Sequence, residues 1–341
     1  MRECARLGTT QPSFEVAAQT LERLGRVGLS GSTVWRYHKE VASQLEEALE
    51  KEEEVPPYVH PEDVAAMEWI PAYERIEKHA SVSIDGVKVL VRDEGYREVK
   101  IVSVSEVVAE REEESKTPER YEDPAAEEEA TECQTGVKLK RHSYRALLGD
   151  KTAFLPVLKG ELARRRVMQA DKISTVNDGA EWIWDLVKMC LPERTVEILD
   201  WSHAVENLAK AGKAGWGEGT PEAQVWLEQR KAELWNGQLV QVEIGLDQLP
   251  RRYKDRGKDI RQVKNYLDQH RKRLHYDRFR AEGRPIGSGT VESAAKNVVS
   301  WRMKRGGQRW SGPGVARMLV AVGEVHSQRW DTRMHCLAKA A

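Results

Sequence analysis

Residues 173–206 read ISTVNDGAEWIWDLVKMCLPERTVEILDWSHAVE, and this stretch decides the fold. Ile173-Ser174-Thr175-Val176 is a short β-branched run, and Asn177-Asp178-Gly179 after it signals a turn or a helix start. Residues 180–190 carry Ile183, Val187 and Cys190 at helical spacing, and Pro192 ends that helix. Residues 195–199 then read as a second strand, which stops at Asp200. Two neighbouring strands that each deliver an aspartate at the carboxyl end fit an α/β sheet with its chemistry at that edge. Aspartate before glycine, or between strand and helix, is also an ordinary turn or N-cap residue. Asp178 therefore has two readings, and other stretches bear on the choice.

Upstream, residues 80–91 (ASVSIDGVKVLV) read as a hairpin. Val82 and Ile84 alternate with serines, Asp85-Gly86 is the tight turn, and Val87, Val89 and Val91 alternate again. Residues 96–107 add a third strand, and residues 153–167 an amphipathic helix. The order is then β-β-β-α-β-α-β, that of the RNase H fold. The expectation is an α/β protein with an RNase H-like mixed five-stranded sheet flanked by helices.

Residues 13–49 predict a small helical unit. Val16, Ala17, Leu21 and Leu24 recur at helical spacing, Gly25, Gly28 and Gly31 punctuate a turn, and Ser30 or Ser32 caps a second helix. Thr33, Trp35, Arg36 and Lys39 near its start fit a helix-turn-helix that offers Arg36 and Lys39 to DNA, or a plain helical hairpin. If the unit reads DNA, the chain begins so close to it that part of an N-terminal domain is expected to precede it. The acidic run 46–54 before Pro56-Pro57 reads as a linker, and residues 109–135, rich in glutamate, as a flexible acidic insertion. Beyond Asp200 the spacing is helical for a long way. The organisation expected is a helical DNA-binding unit (1–55), a linker (56–79), the first part of a catalytic core (80–204), an all-helical insertion (205–282), and a closing helix with a basic segment (283–341).

The 341 residues are 40% hydrophobic and 32% charged, which fits a soluble protein of two or three units. The net charge of −1 averages an acidic first half with a basic later segment. Residues 251–309 hold 18 Lys and Arg against 6 Asp and Glu, a surplus of 18 − 6 = +12. Such a surplus is either a nucleic-acid footprint or a solvated helical face. Cys4, Cys133, Cys190 and Cys336 form no Cys-x-x-Cys pair, so neither a zinc site nor a disulfide framework is read. With no signal peptide and no apolar run of membrane length, the expected location is the cytoplasm, at the nucleoid, away from any membrane.

Residues 283–289 form a glycine-rich loop that opens a helix with Glu292 in its first turn, where an acid would in any case complement the helix dipole. If the first and fourth strands are adjacent, Asp85 and Asp178 meet at one edge, and a helix packed on the sheet brings Glu292 to them. Three carboxylates on rigid elements suit two Mg²⁺ (or Mn²⁺) ions and phosphoryl transfer with no cysteine or histidine nucleophile.

The motifs SIDGVKV at Asp85, DGAEWIW at Asp178, ILDWSHAVE at Asp200, PIGSGTVESAAK at Glu292 and RMKRGGQRW beyond it carry a resemblance. Over roughly residues 81–331 the chain resembles ISKra-type bacterial insertion-sequence transposases, DDE enzymes more distantly similar to the Mutator and hAT groups. The resemblance implies that Asp85, Asp178 and Glu292 are the catalytic, metal-holding triad, with Asp200 and His203 in support. It implies cleavage at transposon ends, then attack of the freed 3′-hydroxyl on target DNA, by a homo-oligomer assembled on terminal inverted repeats. Lys296, Arg302, Lys304 and Arg305 are then expected on the phosphate backbone and Trp310 on a base, or else Trp310 packs in the core, as Trp182 and Trp184 are expected to. The short N-terminus and the acidic insertion depart from the family pattern. Two rivals stand: a structure-directed nuclease such as a junction resolvase, and a DNA-binding regulator or decayed copy that cuts nothing.

Overall fold

One mixed sheet organises the structure, a computed structural model that describes residues 1–54, 75–109, 136–250 and 256–340. Its strands are β1 (His79–Val91), β2 (Gly95–Ala109), β3 (Val137–Leu148), β4 (Lys172–Asn177) and β5 (Val196–Leu199), in the order β3-β2-β1-β4-β5. β1, β2 and β3 run antiparallel, while β4 and β5 continue parallel from β1. The α/β class, the five-stranded mixed sheet and the helical N-terminal unit are as the sequence predicts.

The strands themselves differ. Asp85-Gly86 is no turn: β1 runs through it unbroken, with Asp85 opposite Ile101 and Gly86 opposite Lys100. Successive residues of a strand face opposite sides. Ala80, Val82 and Ile84 bury in one core cluster, and Val87, Val89 and Val91 in another. The apolar phase flips because the covering layer changes side. The true turn lies at 92–94, where Asp93 (φ 63°) and Gly95 (φ 74°) take left-handed backbone that Asp and Gly tolerate best. Residues 96–107 thus belong to the second strand. The third is β3, which the sequence hides: it is an edge strand carrying Lys138, Lys140, Arg141 and Arg145, and its pairing shifts register near Arg141 (φ 48°). Charges and a bulge guard a sheet edge, but they also break the alternation that identifies a strand.

The N-terminal unit is α1 (Arg2–Thr10), α2 (Phe14–Gly25) and α3 (Gly31–Glu54). Ser13 caps α2 by accepting the Val16 N–H, and Ser30 accepts the Thr33 N–H at the start of α3. The left-handed residue that ends α2 is Arg26 (φ 53°), and none of the three glycines takes that role. The acidic run 46–54 is no linker but the last turns of α3. Its Glu52 and Glu53 are neutralised by Arg164, Arg333 and Arg145, which come from distant elements. Most of the expected linker and insertion, residues 55–74 and 110–135, lies outside the described residues. Ile76 is already buried and His79 opens β1, so the end of the expected linker belongs to the sheet.

α4 (Lys151–Arg164) and α5 (Glu181–Cys190) share one core cluster with α6 (Trp201–Trp216), α7 (Pro221–Trp235), α8 (Leu239–Asp247), α9 (Arg256–Gln269) and α10 (Tyr276–Ala281). α11 (Gly289–Ala294) runs through a π-helical turn (Ala295–Ser300) into α12 (Trp301–Met303). With α13 (Gly312–His326) these cover the other side of β1 and β2, and α14 (Trp330–Ala340) closes the chain. Among the described residues no helix is long and apolar enough to cross a membrane.

Candidate functional site

The site begins with register. Parallel pairing sets Ala80 beside Ile173 and Val82 beside Thr175, an offset of 93 residues that Asp85 and Asp178 share just beyond the paired residues, within electrostatic reach of each other. β4 has ended by then, and a side chain takes over the ladder. Buried Asn177 accepts the Ile84 N–H through Oδ1 at 2.6 Å and donates through Nδ2 to Thr175 Oγ1 at 2.7 Å. A buried N–H with no partner would be costly, so this bond fixes the strands one residue before the two aspartates. Asp178 accepts the Ala180 N–H at 2.8 Å and Asp85 the Gly86 N–H at 2.6 Å. Asp178 is thus a turn residue that also lies at the strand edge. Gly86 serves close approach: a Cβ there would lie 2.8 Å from Glu98 Oε1 and 3.3 Å from the Trp182 ring, above which Lys100 Nζ stacks at 3.8 Å.

Asp200 caps α6. Its Oδ1 accepts the His203 N–H at 3.0 Å and the Ser202 hydroxyl, and its Oδ2 accepts the Ser288 N–H at 2.5 Å. The Trp201 N–H donates to Ile286 O at 3.0 Å, and Arg284 reaches Ser174 Oγ at 3.0 Å, so the glycine-rich loop is strapped across the strand ends. Ser288 Oγ then donates to Glu292 Oε1 at 3.1 Å. Asp200 thereby orients Glu292 through one serine, while His203 Nδ1 lies 3.6 Å from Glu206.

All five residues picked from the sequence meet at this edge, but not as the expected trio. Among the described residues, the group whose ligand atoms all lie within 4.8 Å of one another is Asp200, His203 and Glu292. Asp85 and Asp178 stand outside it, each with an oxygen turned onto a nearby backbone N–H. They are still within electrostatic reach. Burial raises the pKa of Asp85, the Gly86 N–H opposes this, Asp178 and Glu292 raise it further, and His203 lowers it. Asp200 already takes three protein donors, which leaves Asp85, Asp178 and Glu292 as the better oxygen donors for a hard divalent cation.

The wall of the site comes from α9. Tyr266 lies so close to Gly179 that a Cβ there would sit 2.3 Å from its hydroxyl. Burial, then the carboxylates of Asp178, Asp200 and Glu206, push the Tyr266 hydroxyl pKa up. His270 accepts from Arg273 at 2.8 Å and hydrogen-bonds the Gly179 backbone; burial and Arg273 hold its pKa near 4, so it is neutral. Asn177, Tyr266 and His270 were not anticipated. Only the 93-residue spacing could have pointed to Asn177, and no local pattern marks the other two.

The expected DNA-contacting residues separate into two kinds. Arg36, Lys39, Lys296 and Lys304 are exposed, and Arg305 stacks over the exposed Trp301 at 4.0 Å. Arg302 is not available to DNA. It is 1% exposed, donates to Pro12 O at 2.6 Å and Gly8 O at 3.0 Å, and lies between the rings of Phe14 and Trp310. Two carbonyls at the end of α1 and beyond it need donors, and Arg302 supplies them. Trp310 is half-buried, its N–H donated to Arg302 O at 3.2 Å; Trp184 is core, and Trp182 is partly buried against it. The basic surplus is also smaller than it counts. Arg273 pairs with Glu197, Arg271 with Glu243 and Lys264 with Asp247, all acids outside the segment. Neither a family model nor a curated protein matches this chain.

Proposed function

We propose that the chain is a DDE transposase of the ISKra type on an RNase H-like sheet. It would cut DNA at the ends of its element and join the freed 3′-hydroxyl to target DNA. The observation that carries the reading is the convergence of Asp85, Asp178 and Glu292, far apart in sequence, on one edge where Asp200 and His203 also lie. The strand order, with β1 between an antiparallel and a parallel neighbour, supports the RNase H-like assignment.

Asp85, Asp178 and Glu292 would hold Mg²⁺ or Mn²⁺, which when bound supplies Lewis-acid activation of a water or hydroxyl and stabilises the leaving oxygen. Asn177 and His270 hold the Asp178 turn, and Ser288 aims Glu292. His203 would orient a phosphate or a triad carboxylate by hydrogen bond, and exposed Lys296, one turn after Glu292, would meet the strand being cut. Terminal inverted repeats and target DNA are the partners, engaged by a homo-oligomer, with Arg36 and Lys39 on α3 reading the duplex.

The tight Asp200–His203–Glu292 group favours a second ligand arrangement within the same class. There His203 and Glu292 would share one ion, a nitrogen–oxygen set that suits manganese better than magnesium. The test is incubation of the purified chain with linear DNA carrying the element's ends, in Mg²⁺ and in Mn²⁺. Nicking that leaves a 3′-hydroxyl at the end is expected. Cutting of branched junctions alone would assign a structure-directed nuclease, and binding without cutting in either metal would overturn the enzyme.

A further inference from the structure

At the far end of β1 from the acidic edge, seven residues and roughly 20 Å along the strand, the Arg92 N–H donates to Trp310 O at 2.7 Å. That bond zips the loop before α13 onto the turn after β1, and α2 and α3 close the other side. Between them lies a cleft of about 430 Å³, within the size range of ligand pockets.

Its lining is one-sided in charge. Lys39, Arg92, Arg309 and Arg317 border it, and among the described residues no carboxylate lines it. Trp35, 47% exposed, stands at the rim with Lys39 Nζ 5.8 Å from its ring centre. The floor holds two buried polar atoms without a hydrogen-bond partner, His38 Nε2 and Arg302 Nε. His38 is 3% exposed. Burial, then Arg302 and Arg317, keep its pKa near 3, so the ring is neutral at ordinary pH. The cleft is thus open, lined by cations and bordered at its rim by an exposed tryptophan face.

We infer that this cleft binds a nucleotide, its base stacked on Trp35 and its phosphate held by Arg92 and Arg309. A tryptophan face accepts any base, and guanidinium forks match phosphate oxygens. The site goes beyond the transposase reading and does not depend on the acidic edge. The nucleotide can come free or as one unit of a single strand.

The test uses the full chain without divalent metal and follows tryptophan quenching and equilibrium dialysis. The probes are inorganic phosphate, deoxyadenosine monophosphate and a short, terminally phosphorylated oligothymidylate. Trp35→Ala and Arg309→Ala alter exposed side chains, and circular dichroism verifies their fold. Saturable nucleotide binding is expected, weakened about ten-fold by Trp35→Ala, with Arg309→Ala lowering the salt slope by about one. Equal affinity for both nucleotide probes assigns a free nucleotide, and preference for the oligonucleotide assigns a strand unit. Asp178→Asn should bind both probes as the parent does, which separates this site from any failure at the acidic edge. No saturable binding, binding indifferent to Trp35→Ala, or phosphate competing as well as the nucleotides would overturn it.

Discussion

Two clusters of carboxylates sit in this molecule under opposite electrostatic rules. Where α3 meets α4, α13 and α14, Glu52, Glu161 and Glu324 are buried, and Arg164, Arg329 and Arg333 answer them. Glu161 shows the balance: burial pushes its carboxyl up, but Arg329 at 2.7 Å and Arg164 outweigh it and hold the pKa near 2. At the sheet edge, Asp85 and Asp178 have no ion-pair partner among the described residues, and the pKa of Asp85 moves up. The matched cluster ties the N-terminal helix to the core. The unmatched one leaves acidic oxygens without a cation of the protein's own among the described residues, the kind of perturbation that is enriched at functional sites.

The comparison breaks most visibly in the matched cluster. Glu161→Ala takes from buried Arg329 its bidentate partner and from Arg164 one of its carboxylates, and should cost about 3–5 kcal/mol in urea unfolding. An unchanged midpoint would remove the contrast. The pH signs are opposite as well. The stability from Glu161 is complete above its ordinary value of 4.5 and is lost as pH falls toward 2.

A smaller effect is expected from His203→Ala, read as the initial rate of end cleavage. As an orienting partner it should slow the rate about 10–100-fold and move the Mg²⁺ optimum upward. A loss equal to that of a triad variant would instead make His203 a ligand, as the Asp200–His203–Glu292 group allows.

The smallest effect sharpens the contrast from the other side. The raised pKa of Asp85 means that the folded state holds its proton more tightly than the unfolded chain. Its contribution to stability is therefore lost as pH rises through the window above 3.8, the reverse of Glu161. Asp85→Asn should flatten that slope and leave the melting temperature at neutral pH unchanged or slightly higher. A clear drop in melting temperature would show Asp85 to be a structural pillar.

How much of this was legible depended on where each residue's partner lies. β4, α5 and β5 are plain because local propensity, Pro192 and the apolar period all agree, and Asp178, Asp200 and His203 stand out as polar residues beside them; Asp85 and Glu292 join them only through the expected strand adjacency and the family resemblance. β1 was misread because its buried face changes side at Asp85, a fact about the covering layers. The acidic end of α3 and Arg302 were misread for one reason: their partners, distant arginines and the carbonyls of Gly8 and Pro12, are brought to them only by the fold. Tyr266 and His270 were invisible because a helix from a separate insertion carries them over Gly179.

The measurement that bears most directly on the account is end cleavage and thermal melting followed together on Asp178→Asn in Mg²⁺. The substitution removes a charge without adding bulk and keeps an oxygen for the Ala180 N–H. The prediction is cleavage abolished, DNA binding retained and the melting temperature within error of the parent. Robust cleavage by the Asp178→Asn protein would contradict the assignment of this edge as the catalytic centre.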